Sequence, residues 1–203
     1  MEQGFTIDGC YENTDIIKKS KFIAKCYNVN TKAQVDDIIK QLKQQYSDAT
    51  HICYAYVLSG IEQKFNDDGE PQGTAGMPIL NCIIKQNLQY VLVVVIRYFG
   101  GIKLGAGGLT RTYTNSASSV LKIANKRPLL KVEEYSLIIE SNEVNKLERL
   151  RQYEAVYDMK FHFEENISVT LLLHASKSQE VEKIISSILN KNINLTFLNQ
   201  KII

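Results

Sequence analysis

Between Asp67 and Arg111 the chain twice sets charged side chains among glycines, in DDGEPQGTAGMP and in RYFGGIKLGAGGLTRTY, on either side of the apolar run VLVVVI. Eight of its eleven glycines fall in this stretch. Glycine costs backbone entropy, so such a concentration belongs where the chain needs unusual dihedrals or close approach to a ligand. In the second loop the candidate binding residues are Arg97, Gly100, Gly101, Lys103, Gly105, Gly107, Gly108, Thr110 and Arg111. Glycine amides can line a concavity, and a helix opening near Thr110 adds its own orphan N–H groups and partial positive charge. Arg97, Lys103 and Arg111 supply full charges, arginine being suited to bidentate phosphate recognition. The expected ligand is a phosphate, either of a nucleic-acid backbone or of a small molecule. The pattern is neither a Walker A loop nor a Rossmann fingerprint. Tight packing of the loop on a sheet is the alternative use of these glycines.

The first loop presents Asp67, Asp68 and Glu70 within four residues. Carboxylates so placed can bind Mg²⁺ or act as acid and base. They can equally cap a turn or pair with the arginines of the second loop. No Ser-His-Asp or Cys-His constellation accompanies them, and no catalytic residue, metal site or cofactor is assigned. His51 and Cys53 stand two apart on a predicted strand and so share a face, but two residues do not make a zinc site; core packing is the expected role. Tyr90, Tyr98 and Tyr113 flank the loops, where tyrosine can stack on bases or simply fill a core.

These loops need elements to hold them. Alternation predicts a strand at 20–29, and Thr31 with Gln34 predicts a capped helix over 32–46 carrying Val35, Ile38, Ile39 and Leu42 on one face. A strand at 51–58 is expected to form a hairpin with 61–66 across Ser59-Gly60. Pro78 is placed as the first residue of a helix over 78–88. The apolar run at 90–98 predicts an interior strand buried on both faces, and a helix over 110–125 follows the second loop. Beyond Pro128 come a strand at 130–140, a helix at 142–153, strands at 155–164 and 167–175, a helix at 176–190 and a strand at 193–202. That order, β-α-β-β-α-β, is the split βαβ arrangement. Two α+β domains are expected, 1–129 and 130–203.

Composition narrows the function classes. The chain has 203 residues, 44% hydrophobic and 23% charged, with a net charge of +2, ordinary values for a globular protein. The basic excess lies in the first 130 residues and is far short of a strong nucleic-acid binder's. Cys10, Cys26, Cys53 and Cys82 stand singly, as expected of reduced thiols in a cytoplasmic protein. Met1–Asp8 has Glu2, Asp8 and no apolar h-region, so no signal peptide is expected, and no apolar run is long enough to span a bilayer. The second domain lacks a clustered polar site and the aromatic pattern of an RNA-recognition motif.

The segments SKFIA (20–24), THICYAY (50–56), DDGEPQGTAGMPIL (67–80) and VVVIRYFGGIKLGAGGLTRTY (93–113) resemble the IMPACT family in its bacterial YigZ-type, UPF0029-like form. The resemblance implies a first domain like the second domain of ribosomal protein S5, a fold shared with GHMP-type kinases, and a ferredoxin-like second domain similar to domain V of elongation factor G. Eukaryotic family members regulate translation initiation with the help of an extra N-terminal RWD domain. The leading expectation is therefore a non-catalytic, translation-associated protein that binds RNA or a ribosomal surface through the basic glycine loop. An enzyme acting on a phosphorylated small molecule and a protein-interaction scaffold are the competing readings.

Overall fold

The computed structural model describes residues 4–58 and 62–202. Residues 1–3, at the start of the segment read for a leader, and the Ser59-Gly60 turn with Ile61 lie outside the described residues. The fold is α+β and divides into two sheet-containing units, Met1–Pro128 and Leu129–Ile203.

The first unit runs β1 (Phe5–Ile7), β2 (Cys10–Ile17), β3 (Ser20–Asn28), α1 (Lys32–Gln45), β4 (His51–Val57), β5 (Gln63–Asn66), α2 (Gly76–Lys85), β6 (Val91–Tyr98), α3 (Ala106–Ile123) and β7 (Lys126–Pro128). Five strands form an antiparallel sheet in the order β2-β3-β6-β4-β5, while β1 pairs with β7. The apolar run of β6 takes the centre, buried from Val91 through Arg97. One face of the sheet (Phe22, Ala24, Cys53, Val93, Val95) packs on Ile79 and Ile83 of α2 and on Tyr113, Ala117 and Val120 of α3. The other (Ile23, Ile52, Val94, Ile96) packs on Val35, Ile39 and Leu42 of α1. Thr31 caps α1, accepting from the Gln34 amide at 3.2 Å, but the Gln34 side chain reaches back one residue further than in a standard capping box, to the Asn30 amide at 2.7 Å. The polar sequence CYENTDII hides β2, a sheet-edge strand, from a hydrophobic-pattern reading.

Both helices beside the loops begin earlier than the sequence pattern predicts. The first helical residue of α2 is Gly76, with Pro78 two positions further on. Proline is still tolerated there, because first-turn N–H groups have no intrahelical partner. The first helical residue of α3 is Ala106, four before Thr110, so Gly107 and Gly108 belong to the helix rather than to the loop.

The second unit runs β8 (Lys131–Ile139), α4 (Val144–Leu147), β9 (Val156–Phe163), β10 (Ile167–His174), α5 (Ser178–Leu189) and β11 (Thr196–Ile202), its antiparallel sheet ordered β11-β8-β10-β9. The segment expected as one helix at 142–153 is instead a single α turn between two 3₁₀ turns. Its buried residues Leu147 and Leu150 are three apart, the period of the tighter helix. Ile193, expected in the last strand, is buried in the core ahead of β11.

Among the described residues no helix is long and apolar enough to cross a membrane. Cys10 is exposed and the other three thiols are buried; burial pushes Cys26 and Cys53 up to about 12. A disulfide-exchange reagent at pH 8 is therefore expected to titrate one fast thiol in the native protein and all four after denaturation. A second fast thiol would contradict this packing.

Candidate functional site

The two glycine loops meet at the ends of β4 and β6, and the acidic loop is used up in building that meeting. Asp67 accepts from the amides of Ala75 and Gly76 with one oxygen (3.0 and 2.8 Å) and from Gly73 with the other (2.9 Å), so it caps α2. Asp68 accepts from the Ile52 amide at 2.7 Å, fixing the loop to β4, and pairs with Lys43 at 3.4 Å. Glu70 is buried, and its Oε1 receives the Arg97 guanidinium at 2.5 Å and the Tyr113 hydroxyl at 2.8 Å. Burial first, then the neighbouring Cys53 and Glu70, push the Tyr113 phenol far above its ordinary range; it therefore stays protonated and donates. Of the uses open to these three carboxylates, turn capping and ion pairing are the ones observed. Among the described residues no group of three or more His, Cys, Asp or Glu is arranged to hold a metal.

Arg97, a candidate phosphate ligand, is only 5% exposed and its charge is balanced by Glu70, the ion pair that was the alternative use of the acidic loop. Its Cζ lies 5.3 Å from the Phe22 ring centre and 5.5 Å from that of Phe99, within cation–π range. One polar atom is left over: Nε is buried and has no hydrogen-bond partner among the described residues.

Above this pair opens a cleft of about 370 Å³, with Arg97, Glu70 and His51 on one side and Lys103, Gly105 and Ala106 on the other. Gly105, at φ +70°, turns the chain into α3, and as its N-cap brings no capping side chain. The first intrahelical amide bond is Leu109 to the Gly105 carbonyl, 2.9 Å. The amides of Ala106, Gly107 and Gly108 accordingly have no partner within the helix. His51 Nδ1 lies 2.8 Å from the Asp68 carbonyl. A carbonyl only accepts, so Nδ1 carries the proton, and Nε2 lies 4.0 Å from Glu70 Oε2.

Beside the cleft, the β2–β3 hairpin is closed by two residues, Lys18 and Lys19, with φ of 47° and 65°. Positive φ at both positions defines a type I′ turn, which normally selects Asn-Gly. Gly100 packs directly on it: a Cβ there would lie 2.0 Å from the Lys19 carbonyl carbon, and the Gly100 amide donates to Ser20 Oγ at 3.1 Å. Exposed Lys18, Lys19 and Lys21 are thus bound to the loop that carries exposed Phe99, Ile102 and Lys103.

A family model for the Impact N-terminal domain matches residues 18–121. The chain belongs to the IMPACT family. It is 47% identical over 119 residues to the IMPACT family member YvyE of Bacillus subtilis, covering 58% of this chain and 55% of that protein, so it spans about half the length of that relative. It is 32% identical over 138 residues to YigZ of Escherichia coli, covering 66% and 68%. A crystal structure of a hypothetical protein aligns over 98% of both chains with a TM-score of 0.73 and 26% identity.

The segment matched by the IMPACT model contains both loops, the Lys18-Lys19 turn and every residue named around the cleft. Of the residues expected to bind, Arg97, Lys103 and Gly105 line it together. Gly100 and Gly101 shape the approach, Gly101 at φ +83°. Gly107 and Gly108 form the first turn of α3. Thr110 lies elsewhere, on a groove between α2 and α3, and exposed Arg111 turns back to donate to the Gly107 carbonyl at 3.3 Å. Pattern reading missed Lys18 and Lys19, because a turn without Asn or Gly carries no hairpin signal, and missed the place of His51 and Phe99 at the cleft.

Proposed function

We propose that this IMPACT-family chain is a translation-associated protein that contacts RNA through the face formed by the Lys18-Lys19 turn and the loop from Phe99 to Gly105. The observation that carries the reading is the hairpin tip. Two lysines occupy a left-handed turn where Asn-Gly would be more stable, and Gly100 holds that turn against a loop bearing an exposed lysine and an exposed aromatic ring. The turn is needed by the hairpin, but its exposed lysine side chains are not, and side chains kept at strained positions without a packing role point to use. Lysines that meet phosphate, beside a ring on which a base can stack, are the usual components of a single-stranded nucleic-acid surface.

The family likeness supports the translation context. In this reading the first unit is built like the second domain of ribosomal protein S5 and the second like domain V of elongation factor G; the antiparallel order β11-β8-β10-β9 of the second unit, a split βαβ arrangement, supports it. The engagement of the Asp67, Asp68 and Glu70 carboxylates in structural bonds favours binding over catalysis.

The test is sedimentation through a sucrose gradient of cell lysate at low and high salt, comparing the wild type with Lys18→Asn/Lys19→Gly. That pair removes two charges and relieves the turn. Salt-sensitive migration with ribosomal particles is expected for the wild type and not for the variant. Against a purified single-stranded RNA, the salt slope should fall by roughly 1.4 for the two lost phosphate contacts. Migration as free protein under both salt conditions would reject the proposal.

A further inference from the structure

We infer that the cleft at the start of α3 is a receptor for a terminal phosphate, a monoester dianion at the end of a nucleotide, separate from the lysine face that meets backbone phosphates. This deepens the RNA reading above and rests on it for what carries the phosphate, though not for the anion site itself.

Two independent features converge there. Helix α3 is 18 residues long and opens on Gly105 without a side-chain cap, and Gly105, Ala106 and Leu109 of its first turn line the cleft, which sets the positive end of its dipole there. Arg97, buried to 5% exposure and lining the same cleft, retains an Nε–H that no group among the described residues accepts. A buried donor left unmade is costly, and an acceptor oxygen entering the cleft would satisfy it.

Charge selects the monoester. Arg97 and Glu70 cancel, which leaves Lys103 and the helix end, together about +1.5. A terminal phosphate near neutral pH carries about −1.5 to −2, whereas a backbone diester carries a single charge. Shape points the same way: a diester has a substituent on each side and cannot bring its oxygens down to a buried guanidinium, while a monoester enters end-on. The remaining wall is apolar, with Pro71, Leu104, Leu109 and the half-exposed Phe99 ring. About 370 Å³ suits a nucleoside monophosphate, its base placed to stack on Phe99.

The decisive variant is Gly107→Asp. Gly107 lies in the first turn of α3, and a Cβ there would meet nothing within 4 Å. An aspartate at that position favours the helix, so the thermal midpoint should hold or rise while its charge repels an anion. Gly107→Asn is the uncharged control and should keep most of the binding. Titration calorimetry on the full chain would compare a 5′-phosphorylated oligoribonucleotide with its 5′-hydroxyl twin, and adenosine 5′-monophosphate with adenosine.

The expected result is at least about tenfold tighter binding of the 5′-phosphorylated RNA, abolished by Gly107→Asp and retained by Gly107→Asn. If adenosine 5′-monophosphate binds in a Gly107→Asp-sensitive way and neither RNA does, the terminal-phosphate site stands with a small-molecule ligand, and the RNA reading fails. Equal binding of both oligonucleotides, untouched by Gly107→Asp, would overturn the cleft and leave the lysine face. No binding of any phosphorylated probe would overturn it as well.

Discussion

Replacing Arg97 with methionine is expected to destabilise the first unit by about 3–5 kcal/mol, the usual consequence of removing one partner of a buried ion pair. Glu70 would remain buried with its charge, held only by the Tyr113 hydroxyl at 2.8 Å and the more distant His51. Taking both charges away should be far milder. Glu70→Met combined with Arg97→Met leaves no stranded ion, and paired apolar replacements of this kind are often close to neutral. The four proteins of this cycle, unfolded in urea and followed by circular dichroism, give the coupling directly. A loss under about 1 kcal/mol for Arg97→Met alone would contradict a pair closed off from water. The cycle also separates roles: the double variant should fold, yet lack the guanidinium that lines the cleft.

A single methyl group at position 100 is the second large change. Gly100→Ala would set a Cβ 2.0 Å from the carbonyl carbon of Lys19 and 2.1 Å from its oxygen, both rigid backbone atoms. Either the loop or the hairpin tip must move. The stability loss is expected at or above the upper end of the ~1–3 kcal/mol typical of overpacking. RNA association should fall as well, although no charge has changed, because the lysine turn and the Phe99 loop would no longer form one surface. Thermal denaturation alongside the gradient experiment measures both. Unaltered association in Gly100→Ala would mean that the two segments act independently.

What the sequence could reveal follows from how local each signal is. The Val91–Tyr98 strand, buried on both faces, was legible because its apolar run is too short for a span and too continuous for a surface element. The capped start of α1 was legible because Thr31 and Gln34 act within four residues. The α3 start at Ala106 was not, because Gly107 and Gly108 resemble loop until the positive φ of Gly105 is known. The site divides along the same line. Glycines and charges marked its loops, but no local pattern tells a free arginine from one paired across 27 residues with Glu70. Nor does it say that the Lys18-Lys19 turn packs against the glycine loop, with Ser20 bonded to Gly100 across 80 residues.

The position of β6 at the middle of the sheet bears on how the chain is made. Its partners, β3 and β4, are both synthesised well before it, with Phe22 and His51 waiting for Arg97. Until β6 emerges, one ladder edge of each of those strands has no native partner, although β2, β5, α1 and α2 are already made. At about 5–20 residues per second, translation alone leaves them unpaired for seconds, longer than most hairpins need to form. The first unit therefore cannot zip up from its N-terminus; it must collapse late around its central strand. A nascent chain halted before Val91 would display an unpaired sheet edge, a natural substrate for chaperones.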